Sequence, residues 1–554
     1  MRLHSDTYAQ KGKYMTQDSP DALVVIATQT RGFYEGFNPW VAAGPKFLIA
    51  ALIIWVASSP SAAGAQLLAL QSWSTASFAP WYMLVTAFLT VACLAFALWP
   101  NTGRIVLGKP GEAPEFSRFT WLSMMFGAGI GVGMLTYSTA EPIFHFTTNP
   151  ETIQGLAQSQ DAGNVRNAYK WALLHYGLTP WACYGIVGMA LGYLSYAKDM
   201  PLTIRSGLQP MFGRHLSGWL GHLVDIAAIL AALIGLGVTI GYGVSQFAAG
   251  LFNISGMSFL MNSSGQPTLN AQLFGLILIV SASCISASSG IQRGIKWLSN
   301  INMSLSIFLV GFFILFGSTV FAVTTFGYAI WDYLLALPSM SVTVWNDTST
   351  EVGKALQDWQ GAWNIFYWAW WIAFAPFVGL FLARVSRGRS VREYVLGAII
   401  VPSMVCLTWL AFVGATAIDL ELQGVAQGTI VNADISSQLF TTINLMLPPG
   451  LAIALSVIVV VLLLTFLITS ADSGILIINT LASGGNQHQK SKRHIVVWGA
   501  IFTLLIGALL TAGGLEALRS AMIIGALPFS LVMALMAISL AKVMRQDIQS
   551  PIQP

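Results

Sequence analysis

The stretch Trp368-Ala369-Trp370-Trp371-Ile372-Ala373-Phe374-Ala375-Pro376-Phe377-Val378-Gly379 places five aromatic rings within ten positions of an apolar run that also holds a proline. Ring faces carry partial negative charge, and a desolvated cation–π contact contributes about 2 kcal/mol. Several rings beside a helix break therefore suit a bulky organic cation, such as a methylated ammonium with no proton to donate. Rings at helical spacing also pack against neighbours or form an interfacial belt. For Trp368 packing and function are both open; Trp370, Trp371 and Phe374, next to the proline, read as a cage.

Two further stretches carry chemistry. Phe126-Gly127-Ala128-Gly129-Ile130-Gly131-Val132-Gly133-Met134 has a glycine at every second position, each costing about 1 kcal/mol relative to alanine in a helix. Unwound backbone inside a membrane is tolerated where it lines a cavity, a ligand or an ion. Close helix packing of the GxxxG kind is the plainer alternative. Thr469 and Ser470, followed by the intramembrane acid Asp472, offer oxygen ligands of the kind a hard cation prefers. No Ser/His/Asp or paired-carboxylate arrangement stands out among the seven histidines, so no catalytic residue is assigned.

The elements that must position these residues follow from composition. A chain of 554 residues that is 55% hydrophobic and 9% charged cannot present a water-facing surface all round, which excludes a soluble enzyme. Apolar runs of spanning length lie near 44–62, 81–99, 119–140, 171–196, 223–250, 271–289, 300–326, 360–382, 395–418, 451–480, 494–512 and 521–541, so twelve transmembrane helices are expected of an all-α polytopic protein. With an inside N-terminus, 22 of the 26 Lys and Arg residues fall on inner segments, leaving Arg166, Lys170, Lys354 and Arg519 outside. The positive-inside bias puts both termini in the cytoplasm and explains the net charge of +4 without a nucleic-acid partner. Cys93, Cys183, Cys284 and Cys406 lie in apolar runs without CxxC spacing and read as free thiols. The polar first 40 residues lack a cleaved-signal pattern.

The glycine stretch and the aromatic box each fall in the first helix of a block of five spans. Interruptions at corresponding positions point to a transporter built from inverted repeats, with substrate between them near the bilayer midplane. The expected division is a cytoplasmic segment 1–43, a transporter domain 44–545 with repeats at about 119–326 and 360–541, and a short tail 546–554.

Gly127 to Gly133 followed by Thr139-Ala140-Glu141-Pro142, the Trp368 to Gly379 box followed by Ala383-Arg384-Val385-Ser386-Arg387-Gly388-Arg389, and Thr469-Ser470-Ala471-Asp472-Ser473-Gly474 together resemble the betaine/carnitine/choline transporter family over roughly residues 40 to 545. The resemblance implies a LeuT-like fold of two peripheral helices and a five-plus-five inverted repeat. It also implies a homotrimer in a bacterial-type inner (plasma) membrane, and import of methylated ammonium or sulfonium compounds, often with sodium, without any other cofactor. The family's substrate cage matches Trp370, Trp371 and Phe374, with Tyr176, Trp181 and Tyr184 from the fourth span and the backbone of Ala128, Gly129 and Ile130. Its sodium site matches Gly127, Ile130, Phe466, Thr469 and Ser470. A second family site falls on Ala232 and Leu236, which lack hydroxyls and leave it degenerate.

Departures bear on the substrate. Phe374 and Tyr176 stand where tryptophan is common in the family. Choline carriers of the family have an aspartate where this chain has Gly133, and no acid lies between Phe126 and Ala140. An uncompensated cation is costly in such a site, so a glycine betaine-like zwitterion fits better. Glu141 reads as structural or gate-related rather than as a substrate contact. Thr469 and Ser470 could instead bond back to the preceding helical turn. Sodium-independent exchange of one substrate for another, or carriage of a small cationic amine such as choline or trimethylamine, remain the alternatives. Nine residues without a base follow Arg545, so stimulation by hyperosmotic shock is not expected.

Overall fold

In the computed structural model, which describes residues 24–129, 131–289, 292–346, 348–486 and 491–549, the chain is helical. No strand forms among those residues, only isolated bridges such as Gln29 with Glu35. The longer helices are α1 (Pro39–Ser58), α2 (Pro60–Leu98), α3 (Arg118–Gly129), α4 (Val132–Thr147), α5 (Val165–Tyr176), α6 (Leu178–Gly192) and α7 (Trp219–Ser255). They continue with α8 (Leu269–Ser289), α9 (Gln292–Phe316), α10 (Thr319–Met340), α11 (Glu351–Val385), α12 (Val391–Leu422), α13 (Pro449–Ala482) and α14 (Lys492–Gln549). In an apolar solvent every backbone group must be satisfied within its own segment, which selects helices. Local signals set their ends: Asn38 accepts the Val41 amide at 3.1 Å and Pro39 occupies the first turn of α1.

Among the described residues ten helices are long and apolar enough to cross a membrane. The tally differs from the twelve apolar runs for identifiable reasons. The run near 119–140 is cut between α3 and α4, where Gly131 is extended (φ −163°, ψ −173°). The run near 171–196 is cut at Gly177, where a Cβ would lie 2.4 Å from the Tyr333 hydroxyl. The run near 300–326 is not one helix, because α9 ends at Phe316 and α10 begins at Thr319. Conversely, α14 joins two runs across Gly513 and Gly514, the latter at φ 63°.

Burial separates centre from periphery. In their most apolar windows α7 and α11 bury 72% and 78% of residues, against 28% for α1 and 22% for α9 and α10. The expected break at Pro376 and Gly379 is absent, since α11 is helical from Phe366 to Val385 straight through the proline. Its irregular turn lies earlier, where Gly361–Ile365 is π-helical. Gly379 serves close packing instead: a Cβ there would stand 2.6 Å from Val187, and one on Gly188 of α6 would stand 2.9 Å from the Gly379 carbonyl oxygen.

Candidate functional site

The close approach of α6 to α11 sets the aromatic residues of both helices against one another. Trp370 and Trp371 lie with parallel rings, centroids 5.7 Å apart and planes 6° apart. Each indole is fixed by its N–H: Trp370 donates to the Thr239 hydroxyl at 3.1 Å, and Trp371 to the main-chain oxygen of His175 at 3.0 Å. Tyr176 and Tyr184 stand edge-on to Trp371 at 5.5 and 6.1 Å, and Trp181 stands edge-on to Tyr184 at 5.4 Å. This leaves Trp371, half-buried, as the centre of a box of ring faces and edges.

The glycine stretch meets the same box. A Cβ on Gly133 would lie 3.2 Å from the Trp370 ring, and the Tyr176 hydroxyl donates to the Gly133 carbonyl at 3.3 Å. Here glycine lets the first turn of α4 approach the indole closely. Gly127, Ala128 and Gly129 are described only as the end of α3, and Ile130 lies outside the described residues. Phe374 takes its ring contact from Phe377 at 5.9 Å and sits against Gly235 of α7. Trp368 is a packing residue, buried with its N–H 3.1 Å from the Met83 sulfur.

Several site residues escaped the sequence reading. Tyr367 stacks on Trp370 and Trp371 at 6.1 and 5.7 Å, Tyr137 stands edge-on to Trp370 at 5.8 Å, and Tyr242 stacks on it at 6.0 Å. Helical spacing was the available signal: Tyr137 is four residues beyond Gly133, and Tyr367 is four before Trp371. Tyr137, Tyr242 and Phe366 also floor a cavity of about 590 Å³ walled by Trp363, Asp434, Glu516 and Arg519. One layer of rings thus separates that cavity from Trp370. Arg519 lies 4.3 Å over Phe366 and donates to the Ala362 carbonyl at 2.6 Å.

Beside the box sits a buried polar cluster. Glu141 Oε1 is 2.5 Å from His175 Nδ1 and 3.4 Å from His145 Nε2, while Glu141 Oε2 accepts from the Tyr367 hydroxyl. His175 Nε2 is 2.8 Å from Asn364 Oδ1. No solvent reaches the side chains of Glu141, His145 or His175.

The residues expected to hold a cation lie on α13. The Thr469 hydroxyl faces the Thr465 and Phe466 carbonyls at 2.9 and 3.1 Å, the back-bond of a helical threonine, and accepts from Asn302 Nδ2 at 3.2 Å. A hydroxyl oxygen has two lone pairs, so one remains. Phe466 is buried and Ser470 half-buried, and Asp472, one turn on, accepts from the Ser286 hydroxyl at 2.6 Å. Ala232 and Leu236 are apolar contacts, with Leu236 filling the space over Gly474.

The helical chain with its buried ring box matches a family of transporters, not of enzymes. The chain belongs to the betaine/carnitine/choline transporter family, whose model, "BCCT, betaine/carnitine/choline family transporter", matches residues 40–549. It is 34% identical to the "Glycine betaine transporter OpuD" of Bacillus subtilis over 89% of this chain and 92% of that protein. It is 36% identical to the "Osmo-independent choline transporter BetT1" of Acinetobacter baylyi, covering 85% and 87% of the two chains. It is also 36% identical to the "Ectoine/hydroxyectoine transporter" of Virgibacillus pantothenticus, covering 90% and 95%.

Proposed function

We propose that the protein imports a methylated ammonium or sulfonium zwitterion of the glycine betaine type, held by its cationic head in the box of Trp370, Trp371, Tyr176, Trp181 and Tyr184, with Phe374 at its edge. The observation that carries this reading is the orientation of Trp371, whose indole N–H is tied to His175 and whose ring stands among phenol edges. A permanent cation with no N–H or O–H is held by ring faces and not by hydrogen bonds. The relatives named for glycine betaine, choline and ectoine support the substrate class. A zwitterion is favoured over choline because the acid nearest the box, Glu141, is already engaged by His175 and Tyr367. Its carboxylate would meet the backbone amides around Ala128, Gly129 and Ile130.

The driving ion in this reading is sodium, bound by the Thr469 and Ser470 hydroxyls with the carbonyls of Phe466, Gly127 and Ile130. The engagement of Thr469 by its own helical turn and by Asn302 favours a second reading, sodium-independent exchange. The architecture that goes with the family resemblance is twelve spans, a five-plus-five inverted repeat after two peripheral helices, a homotrimer and cytoplasmic termini. Uptake of labelled glycine betaine into proteoliposomes, with carnitine, choline, ectoine and dimethylsulfoniopropionate as competitors, tests the substrate. Saturable uptake inhibited by zwitterions more than by choline is expected, and absence of betaine uptake at any sodium gradient would refute it.

A further inference from the structure

Three ionisable side chains that the transport reading leaves unused meet inside the protein. Glu141 and His145 stand one turn apart on α4, and His175 faces them from α5. His175 lies between two oxygens, Oε1 of Glu141 at 2.5 Å and Oδ1 of Asn364 at 2.8 Å. The Asn364 amide nitrogen is turned to the Met83 sulfur at 4.0 Å, an acceptor, which leaves its oxygen for the imidazole. Both nitrogens of His175 are therefore engaged, by Glu141 on one side and Asn364 on the other.

His145 differs. It is buried, neither ring nitrogen has a hydrogen-bond partner, and Nε2 lies 3.4 Å from the same carboxylate oxygen. A buried polar group without a partner costs about 1–3 kcal/mol and calls for an explanation. A proton arriving at Nε2 would have Glu141 Oε1 to bond to.

We propose that Glu141, His145 and His175 form a proton-binding site, in which His145 takes up and releases the proton, and that its occupancy is linked to that of the ring box. The link runs through Tyr367, which donates to Glu141, stacks on His175 at 4.6 Å and stacks on Trp371 at 5.7 Å. The inference rests on the reading of that box as the substrate site. Loading His145 adds one positive charge to the cluster. That charge disfavours a cationic head in the adjoining box, so substrate binding expels the proton, and acid weakens substrate binding by the same factor.

The other groups around the cluster do not supply this behaviour. Tyr137, Tyr176 and Tyr367 are phenols, and Trp359 and Trp363 cover His145 at 5.5 and 4.6 Å. The neighbouring formal charges are partnered: Glu151 by Lys170 and Trp171, and Arg519 by Glu516 at 3.1 Å. At the end of α12, Glu421 accepts the amides of Gly428, Ile430 and Val431, and Asp419 takes the Gln423 side chain.

The test counts protons when glycine betaine is added to the purified full-length protein in weakly buffered solution, alongside its Kd from tryptophan fluorescence between mildly acidic and mildly alkaline pH. Wild type should release up to one proton per site, with Kd weakening by as much as about tenfold per unit fall in pH. His145→Gln should bind betaine, release none and give a flat profile. Betaine binding to wild type without proton release, or an unchanged pH profile in His145→Gln, would overturn the proposal. Failure of betaine, choline and ectoine alike to bind wild type at any pH would overturn the ring-box reading, and this one with it.

Discussion

The indole N–H of Trp371 donates to the main-chain oxygen of His175 at 3.0 Å, so the residue that engages Glu141 with its side chain orients the central ring of the box with its backbone. Ring geometry and polar cluster are therefore mechanically one unit, placed where α5 ends and α11 passes it.

Trp371→Leu keeps much of the apolar volume and removes the ring face. Betaine binding to the purified protein should weaken by about 1 kcal/mol or more, roughly fivefold in Kd. Trp371→Phe keeps a ring and loses only the bond to His175, so it should retain more affinity than the leucine variant. Equal affinity of wild type and Trp371→Leu would remove this ring from the site.

Arg205 and Asp225 form an ion pair with no more than 1% side-chain exposure, joined at 2.6 Å with the Arg205 amide also bonded to the carboxylate at 3.0 Å. Arg205→Met strands a buried charge, which costs about 3–5 kcal/mol. A lowered unfolding midpoint in detergent, with the Asp225→Asn, Arg205→Met double variant recovering part of the loss, is the expected pattern.

Gly188→Ala tests whether the glycines of α6 and α11 exist for packing. The new methyl would fall 2.2 Å from the Tyr394 hydroxyl and 2.9 Å from the Gly379 carbonyl oxygen. The helices must separate, and thermal stability and betaine affinity should fall together. A variant as stable as wild type would show that α6 has room there.

Thr469→Ala with Ser470→Ala removes two hydroxyls of the proposed cation site and leaves the ring box untouched. Sodium dependence of uptake should weaken or vanish while sodium-independent binding of betaine persists. A double variant with the wild-type sodium response would place the ion elsewhere or favour the exchange reading.

Much of this arrangement was legible in the sequence because it depends on local pattern. Apolar run length located most of the long apolar helices, and the family motifs pointed to Trp370, Trp371, Tyr176, Trp181 and Tyr184, which the fold gathers into one array. What stayed hidden depends on approach between helices. Pro376 read as a break, yet α11 runs through it, and Gly379 is there because Val187 and Gly188 press against it. Gly177 read as part of a continuous span, but Tyr333 of α10 occupies the space a side chain would need. Glu141 and His175 are 34 residues apart, so their contact follows only from the packing of α4 on α5.

In the proposed site, the positive charge of the methylated head is bound by ring faces. The direct measurement compares Kd for glycine betaine with that for 3,3-dimethylbutyrate, its carbon isostere, which has the same shape and carboxylate but an uncharged tert-butyl head. One desolvated cation–π contact of about 2 kcal/mol corresponds to roughly thirtyfold in Kd, so betaine should bind tighter by at least that factor, and Trp371→Leu should narrow the gap. Equal affinity for the two compounds in wild type would contradict the account.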